Sequence, residues 1–160
     1  MRNSFHTPFP SPTYPPPHPT TPSHHPTNHH PSHHSDTGYR AVPSLPVTEN
    51  DYAPHHTYPH CPAFAQIGAL RGPFDLGLIP IGAYDPRWIM SPMHANPFDS
   101  VNIFLDTRCR RAMGIHWGTW VLTEEDVLEP PRLLRDACRW KGLPETGRFD
   151  VCEIGESREF

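Results

Sequence analysis

The sequence predicts an α/β domain with a small parallel sheet, preceded by a Pro- and His-rich tail. Three observations carry this expectation. Helical and extended apolar patterns alternate after residue 62, the order of a layered α/β unit. Residues 75–81, DLGLIPI, form a short and nearly continuous apolar run, as in a strand buried on both faces. Composition also divides the chain: residues 1–62 hold 15 of the 23 prolines and 11 of the 13 histidines. All four tryptophans lie beyond them.

The elements follow in order. Residues 1–35 are mostly Pro, His, Ser and Thr. Proline at this density fixes φ and removes donors, and too little apolar surface remains to offset chain entropy. A disordered tail is expected. Asp36-Thr37-Gly38 reads as a turn, with Gly38 supplying a positive φ, and residues 41–60 read as an irregular loop. Pro62 suits a helix start, Phe64, Ile67 and Leu70 follow at helical spacing, and Gly72-Pro73 stops them. The strand at 75–81 runs into a loop, GAYDPRW. Asn96 caps a helix with Pro97 behind it, and Arg108, Arg110 and Arg111 are expected in its last turn. Residues 112–116 read as the next strand. EPPRLLRDACRWKG reads as a helix with Leu133, Leu134, Ala137 and Cys138 inward and Gly142 as its stop. Residues 149–154 alternate and read as a last strand. Three strands make a small sheet with open edges, which calls for a protein partner to cover it.

Several classes are disfavoured. Apolar residues make up 36% of the chain and its formal net charge is −4. Nucleic-acid binding needs a clustered basic excess, so no such partner is expected. No apolar run reaches the ~18 residues of a membrane span, and no secretory signal opens the sequence. The expected location is intracellular, with a membrane periphery or the mitochondrion as alternatives. Cys61, Cys109, Cys138 and Cys152 are far apart, without a C-x-x-C pair, and read as reduced thiols. The cluster His24, His25, His29, His30, His33, His34 reads first as a solvated tail, the alternative being loose, geometry-free metal binding.

Ligands of open α/β sheets collect beyond the carboxyl ends of strands. Asp85, Arg87 and His94 follow the first strand there, and His116, Trp117, Gly118 and Thr119 follow the second. Asp36 is a third contributor. Each has a plain reading as well: a turn former at Asp36, a hydrogen-bonded rim residue at His116, a surface pair between Asp85 and Arg87, packed rings at Trp117 and Trp120. The sequence contains no Gly-rich phosphate loop, nucleophile elbow or H-E-x-x-H.

Five strings occur together: DTGYR, CPAFAQIGALRGPFDLGLIPIGAYDPRW, MHANPFDSV, IHWGTWVLTEEDVLEPP and GESR. As a set they resemble the second half of the metallo-β-lactamase-fold phosphodiesterases that hydrolyse N-acylphosphatidylethanolamine, the phospholipase D of that specificity. The insertion between DTGYR and CPAF resembles the fungal form. The resemblance covers residues 36–160 and implies the C-terminal half of an αββα sandwich. It implies a two-zinc site that activates water for attack on phosphorus, with phosphatidic acid and an N-acylethanolamine as products. It implies a phospholipid substrate met at a membrane surface. By motif, Asp36 falls on the bridging carboxylate and His116 on the last histidine ligand. His94 falls near the site, as a contact for substrate phosphate, and Arg87 is a weaker candidate for the same role.

The departures matter equally. The sequence contains no H-x-H-x-D-H, and the tail's HHPSHHSD has the wrong spacing. The apolar strand that leads into the family's aspartate is replaced by Pro, His and Ser. One carboxylate and one imidazole cannot hold a dinuclear centre, since zinc sites use at least three protein ligands per ion. The chain alone is therefore expected to be inactive. The alternatives are a non-catalytic interaction protein, a truncated gene model of the enzyme, or a metal-buffering tail on an inert scaffold.

Overall fold

The computed structural model describes residues 32–33, 36–46 and 49–159. The disorder expected of residues 1–31 lies outside the described residues. Four strands and four helices run in the order β1 (Ser32–His33), α1 (Ala63–Leu70), β2 (Leu76–Pro80), α2 (Arg87–Met90), α3 (Pro97–Asp106), β3 (Arg111–Ile115), α4 (Glu129–Trp140) and β4 (Phe149–Asp150). The sheet is parallel throughout, in the order β1-β2-β3-β4.

The alternation in the sequence thus becomes a sheet with a helix in every crossover. α1, α3 and α4 pack side by side, α3 on β2 and α4 on β4. The core lies between these helices and the sheet. Ile79, Ile81, Val101, Phe104, Leu134 and Phe149 are all but completely buried there. The Phe104 and Phe149 rings sit 5.4 Å apart and tie α3 to β4. Burial of an aromatic side chain of this kind contributes roughly 1.5–3 kcal/mol.

The best-specified element is α3. The Asn96 side chain accepts from the Asp99 backbone N–H at 2.9 Å, and the Asp99 carboxylate accepts from the Asn96 N–H at 3.3 Å. This reciprocal cap with Pro97 behind it starts the helix. α4 ends as its sequence predicts, with Gly142 at φ +69°.

Several expectations are corrected. Ser32–His33 forms a strand that pairs with Gly77 and Leu78, where the sequence suggested continuous disorder to residue 35. Ladder bonds use backbone atoms, so an apolar side-chain pattern is not required for pairing. β2 is not buried equally on both faces: Gly77 and Ile79 are buried, while Leu76 and Leu78 are only partly covered. β3 repeats this with Ala112 and Gly114 buried and Met113 and Ile115 partly covered. The sheet therefore has a helix-covered face and a half-open one. α3 stops at Asp106 with no basic residue in its last turn. Arg108 turns the chain at φ +59°, Arg110 pairs with Asp75 at 2.8 Å, and Arg111 already opens β3. The last strand is two residues long rather than six, because pairing with β3 ends at Asp150. The GAYDPRW loop includes the start of a short helix, α2, which the sequence reading missed.

Candidate metal centre

Three sequence-predicted residues meet beyond the carboxyl ends of β1, β2 and β3. Asp36, His94 and His116 each offer a ligand atom, and these atoms lie within 4.8 Å of one another. His116 Nε2 stands 2.8 Å from Asp36 Oδ1. The His94 and His116 rings are 5.5 Å apart, centre to centre. Nδ1 of His94 is buried with no hydrogen-bond partner among the described residues. A buried imidazole nitrogen without a partner costs free energy, and a carboxylate gathered with two imidazoles suits a cation.

Each of the three residues reaches the cluster by a different local device. Asp36 lies beyond β1, and the chain then runs beside residues 91–95, with Thr37 O accepting from Ala95 N at 2.7 Å. Gly38 serves that approach rather than a positive φ: a Cβ there would lie 2.2 Å from the Pro92 carbonyl oxygen. His116 directly follows β3 in the left-handed region at φ +65°, a conformation costing a non-glycine residue about 1–3 kcal/mol. Its Nδ1 lies 3.3 Å from the Gly82 carbonyl oxygen. A proton on Nδ1 then leaves Nε2 with its lone pair toward Asp36, the arrangement of metal-binding histidines. Gly82 has no room for a side chain, since a Cβ would sit 2.3 Å from the His116 carbonyl oxygen.

The Gly82 loop is held by a residue that sequence reading did not single out. The Glu125 carboxylate accepts from the backbone N–H of Ala83 at 2.6 Å, Tyr84 at 3.3 Å and Asp85 at 3.1 Å. The acidic stretch after IHWGTWVL was the available signal. Burial, then the nearby Glu124 and Glu125, push the Asp85 carboxyl up. The surface ion pair that the sequence suggested between Asp85 and Arg87 does not form: the Arg87 guanidinium pairs with Asp51 and Asp99, and Asp85 meets only the Arg87 backbone N–H.

Arg87 is committed elsewhere. It donates to Asp51 at 2.9 Å and to Asp99 at 2.8 Å, and is largely buried between them. Those contacts engage its Nε and Nη2, while its Nη1 is buried without a hydrogen-bond partner among the described residues. Trp117 packs on the core as expected, whereas Trp120 is 75% exposed. A cavity of about 180 Å³ opens beside His116, lined mainly by Trp117, Trp120, Val121, Leu122 and Val127. Among the described residues no helix is long and apolar enough to cross a membrane.

The chemistry of this donor set fits one zinc-class ion: one carboxylate and two imidazoles. Among the described residues no further Cys, Asp, Glu or His joins the group, so it does not by itself supply a dinuclear centre.

Comparison with known proteins agrees with this architecture. Residues 20–117 match the model of the β-lactamase superfamily domain. That match begins upstream of Asp36, where the resemblance of motifs began. The chain is 42% identical over 94 residues to N-acyl-phosphatidylethanolamine-hydrolyzing phospholipase D 1 of Caenorhabditis elegans, covering 58% of this chain and 26% of the relative. It is 39% identical over 85 residues to the mitochondrial N-acyl-phosphatidylethanolamine-hydrolyzing phospholipase D of Saccharomyces cerevisiae, covering 53% and 18%. An uncharacterised protein of Mycobacterium tuberculosis is 43% identical over 79 residues, covering 47% and 21%. Worm, yeast and bacterium all match, so the comparison does not single out a fungal form. The chain spans about a quarter or less of the length of these relatives. With a family match over more than half its residues and a parallel sheet that gathers carboxylate and imidazole at its carboxyl edge, the chain belongs to the β-lactamase superfamily, with the fold of a metallo-β-lactamase domain.

Proposed function

We propose that this chain supplies one side of a zinc-dependent phosphodiesterase site acting on N-acylphosphatidylethanolamine. The observation that carries the reading is the convergence of Asp36, His94 and His116 at the carboxyl edge of the sheet. The names of the worm and yeast relatives support the substrate class. A bound zinc ion would supply Lewis acidity and an acidified water. Asp36 and His116 would hold the ion, and His94 would serve as a third ligand or contact a phosphate oxygen. Gly82 would fix the His116 tautomer through its carbonyl group. The apolar cavity beside His116 has the character needed for part of an acyl chain. The phospholipid would be met at a membrane surface, and an intracellular or mitochondrial setting accords with the yeast relative's printed name. Arg87 is left out of the substrate contacts because its Nε and Nη2 serve Asp51 and Asp99 and its side chain is largely buried between them.

The test is to sequence the 5′ end of the transcript, express the encoded product and assay hydrolysis of N-acylphosphatidylethanolamine with zinc and with a chelator. The expected result is an upstream H-x-H-x-D-H, chelator-sensitive release of N-acylethanolamine, and no turnover by the 160-residue chain alone. A product that carries the motif but releases nothing overturns the reading. A second reading, a non-catalytic interaction protein, is favoured by the half-open sheet face and by Trp120, Val121 and Leu122, each 74–79% exposed. A transcript that begins at Met1 would select it.

A further inference from the structure

A second group of ligand-type side chains lies in the loop before α1, sharing no residue with the first. Glu49, His55 and His56 place a carboxylate oxygen and two imidazole nitrogens within 4.8 Å of one another. His55 Nε2 is 3.0 Å from Glu49 Oε1, and His56 Nε2 is 2.9 Å from the same oxygen. The two rings stand 4.0 Å apart, centre to centre. The His56 side chain is 11% exposed, and its Nε2 makes no well-directed hydrogen bond despite the short approach.

Two histidines crowded on one carboxylate oxygen are poorly served by protons alone. Two imidazolium rings at this separation repel each other. In the present geometry the buried His56 Nε2 stays without a hydrogen-bond partner although the Glu49 oxygen lies 2.9 Å away. A divalent ion removes both difficulties, since it binds neutral imidazole through the lone pair and the carboxylate through its charge.

The loop is prepared for the task. His56 Nδ1 lies 2.8 Å from the Tyr58 hydroxyl, and the two rings stack, so the outer nitrogen is engaged and Nε2 faces Glu49. Turns at Ala53 and His56, closed by 2.9 Å backbone hydrogen bonds to Asn50 and Ala53 carbonyls, fix the local path. Tyr52 is wedged against Phe98 and Trp140, and its hydroxyl donates to Asp99. The Arg40 guanidinium lies over the Tyr52 ring at 4.2 Å and over Tyr58 at 5.4 Å. The His55 side chain is 65% exposed, leaving an entry path and freedom to adjust. Tetrahedral zinc with bonds of about 2.0–2.1 Å spaces its ligand atoms by about 3.3 Å, a small outward shift from the present distances.

We propose that Glu49, His55 and His56 form a second metal site, for a zinc-class divalent ion, with the fourth position left to solvent. Bound there, the ion fastens loop 49–58 as a local clip. It is independent of the site at Asp36.

Zinc sulfate titration of the full chain, followed by long-range proton–nitrogen correlation of the imidazole rings, tests it. Assignments come from His55→Ala and His56→Ala. The His55 and His56 Nε2 signals should shift together and saturate at one ion per site, also in a His116→Ala background. Glu49→Gln should weaken that response at least tenfold and leave the His116 response unchanged. The exposed position of His55 makes His55→Ala a second variant that folds if Glu49→Gln does not, and it should abolish the His56 shift. Signals that move only after the tail histidines saturate would overturn the proposal, as would an unaltered response in either variant.

Discussion

The two histidine–carboxylate clusters are assembled in opposite ways. Asp36, His94 and His116 come from three separate segments, brought together because three parallel strands end at one edge. Glu49, His55 and His56 come from eight consecutive residues, brought together by turns within one loop. The first depends on long-range packing and on two glycines that admit a neighbouring backbone. The second depends on how firmly its loop is pinned to the helices. A distributed site fails when the sheet shifts. A local site fails when its anchor is lost.

The largest expected effect separates the two by removing that anchor. Asp99 is fully buried, caps α3, and accepts from both Arg87 and Tyr52. Asp99→Ala leaves the Arg87 charge short of a partner in the interior and should cost about 3–5 kcal/mol by chemical denaturation. At temperatures where the variant stays folded, zinc affinity should fall more at Glu49, His55 and His56 than at the first cluster. Equal losses at both would break the contrast between local and distributed assembly.

Gly82→Ala acts the other way. The added methyl meets the backbone carbonyl of His116, which cannot rotate away. A loss of about 1–3 kcal/mol is expected, with weakened zinc binding at His116 and an unchanged response at His55. Tyr52→Phe sharpens the test at lower cost. It deletes the donor to Asp99 while keeping the ring between Phe98 and Trp140, and should cost about 1–3 kcal/mol. Its effect on zinc should again be confined to the loop.

The smallest effect lies in the core between helices and sheet, where pH is the probe. Burial, then Asp150 and Glu145, push the Cys138 thiol up to about 11 from 9.0. The unfolded thiol loses its proton first as pH rises, so this group's contribution to stability is complete below about pH 9 and lost toward pH 11. Denaturation midpoints should fall across that window, and less so in Cys138→Ala. Alkylation at neutral pH should spare Cys138 while reaching the partly exposed Cys61 and Cys152.

What could be read in the sequence follows the range of the interactions involved. α1, α3 and α4 were legible because caps, prolines and apolar spacing act within a few residues. β2 and β3 were legible as apolar runs. β1 was not, since Ser32–His33 carries no apolar signal in the sequence and ladder pairing needs none. β4 was over-read, because alternation continued after its partner strand had ended. Asp36, His94 and His116, which the fold brings together, were singled out through motifs. The cluster at Glu49 escaped, because E-x5-H-H matches no familiar ligand spacing and lay in a stretch read as irregular.

The sequence by itself determined the alternation of elements, the cap of α3, the family resemblance and the residue types available for a metal. Tertiary structure decided which of those residues meet. It turned Arg87 inward to Asp51 and Asp99, and made Gly38 and Gly82 points of close backbone approach. It also left His94 Nδ1 and His56 Nε2 buried without hydrogen-bond partners. The reason is physical. Propensity and capping act along the chain, whereas burial, ion pairing and ligand convergence depend on distances in space, which are set only when the sheet and its helices pack.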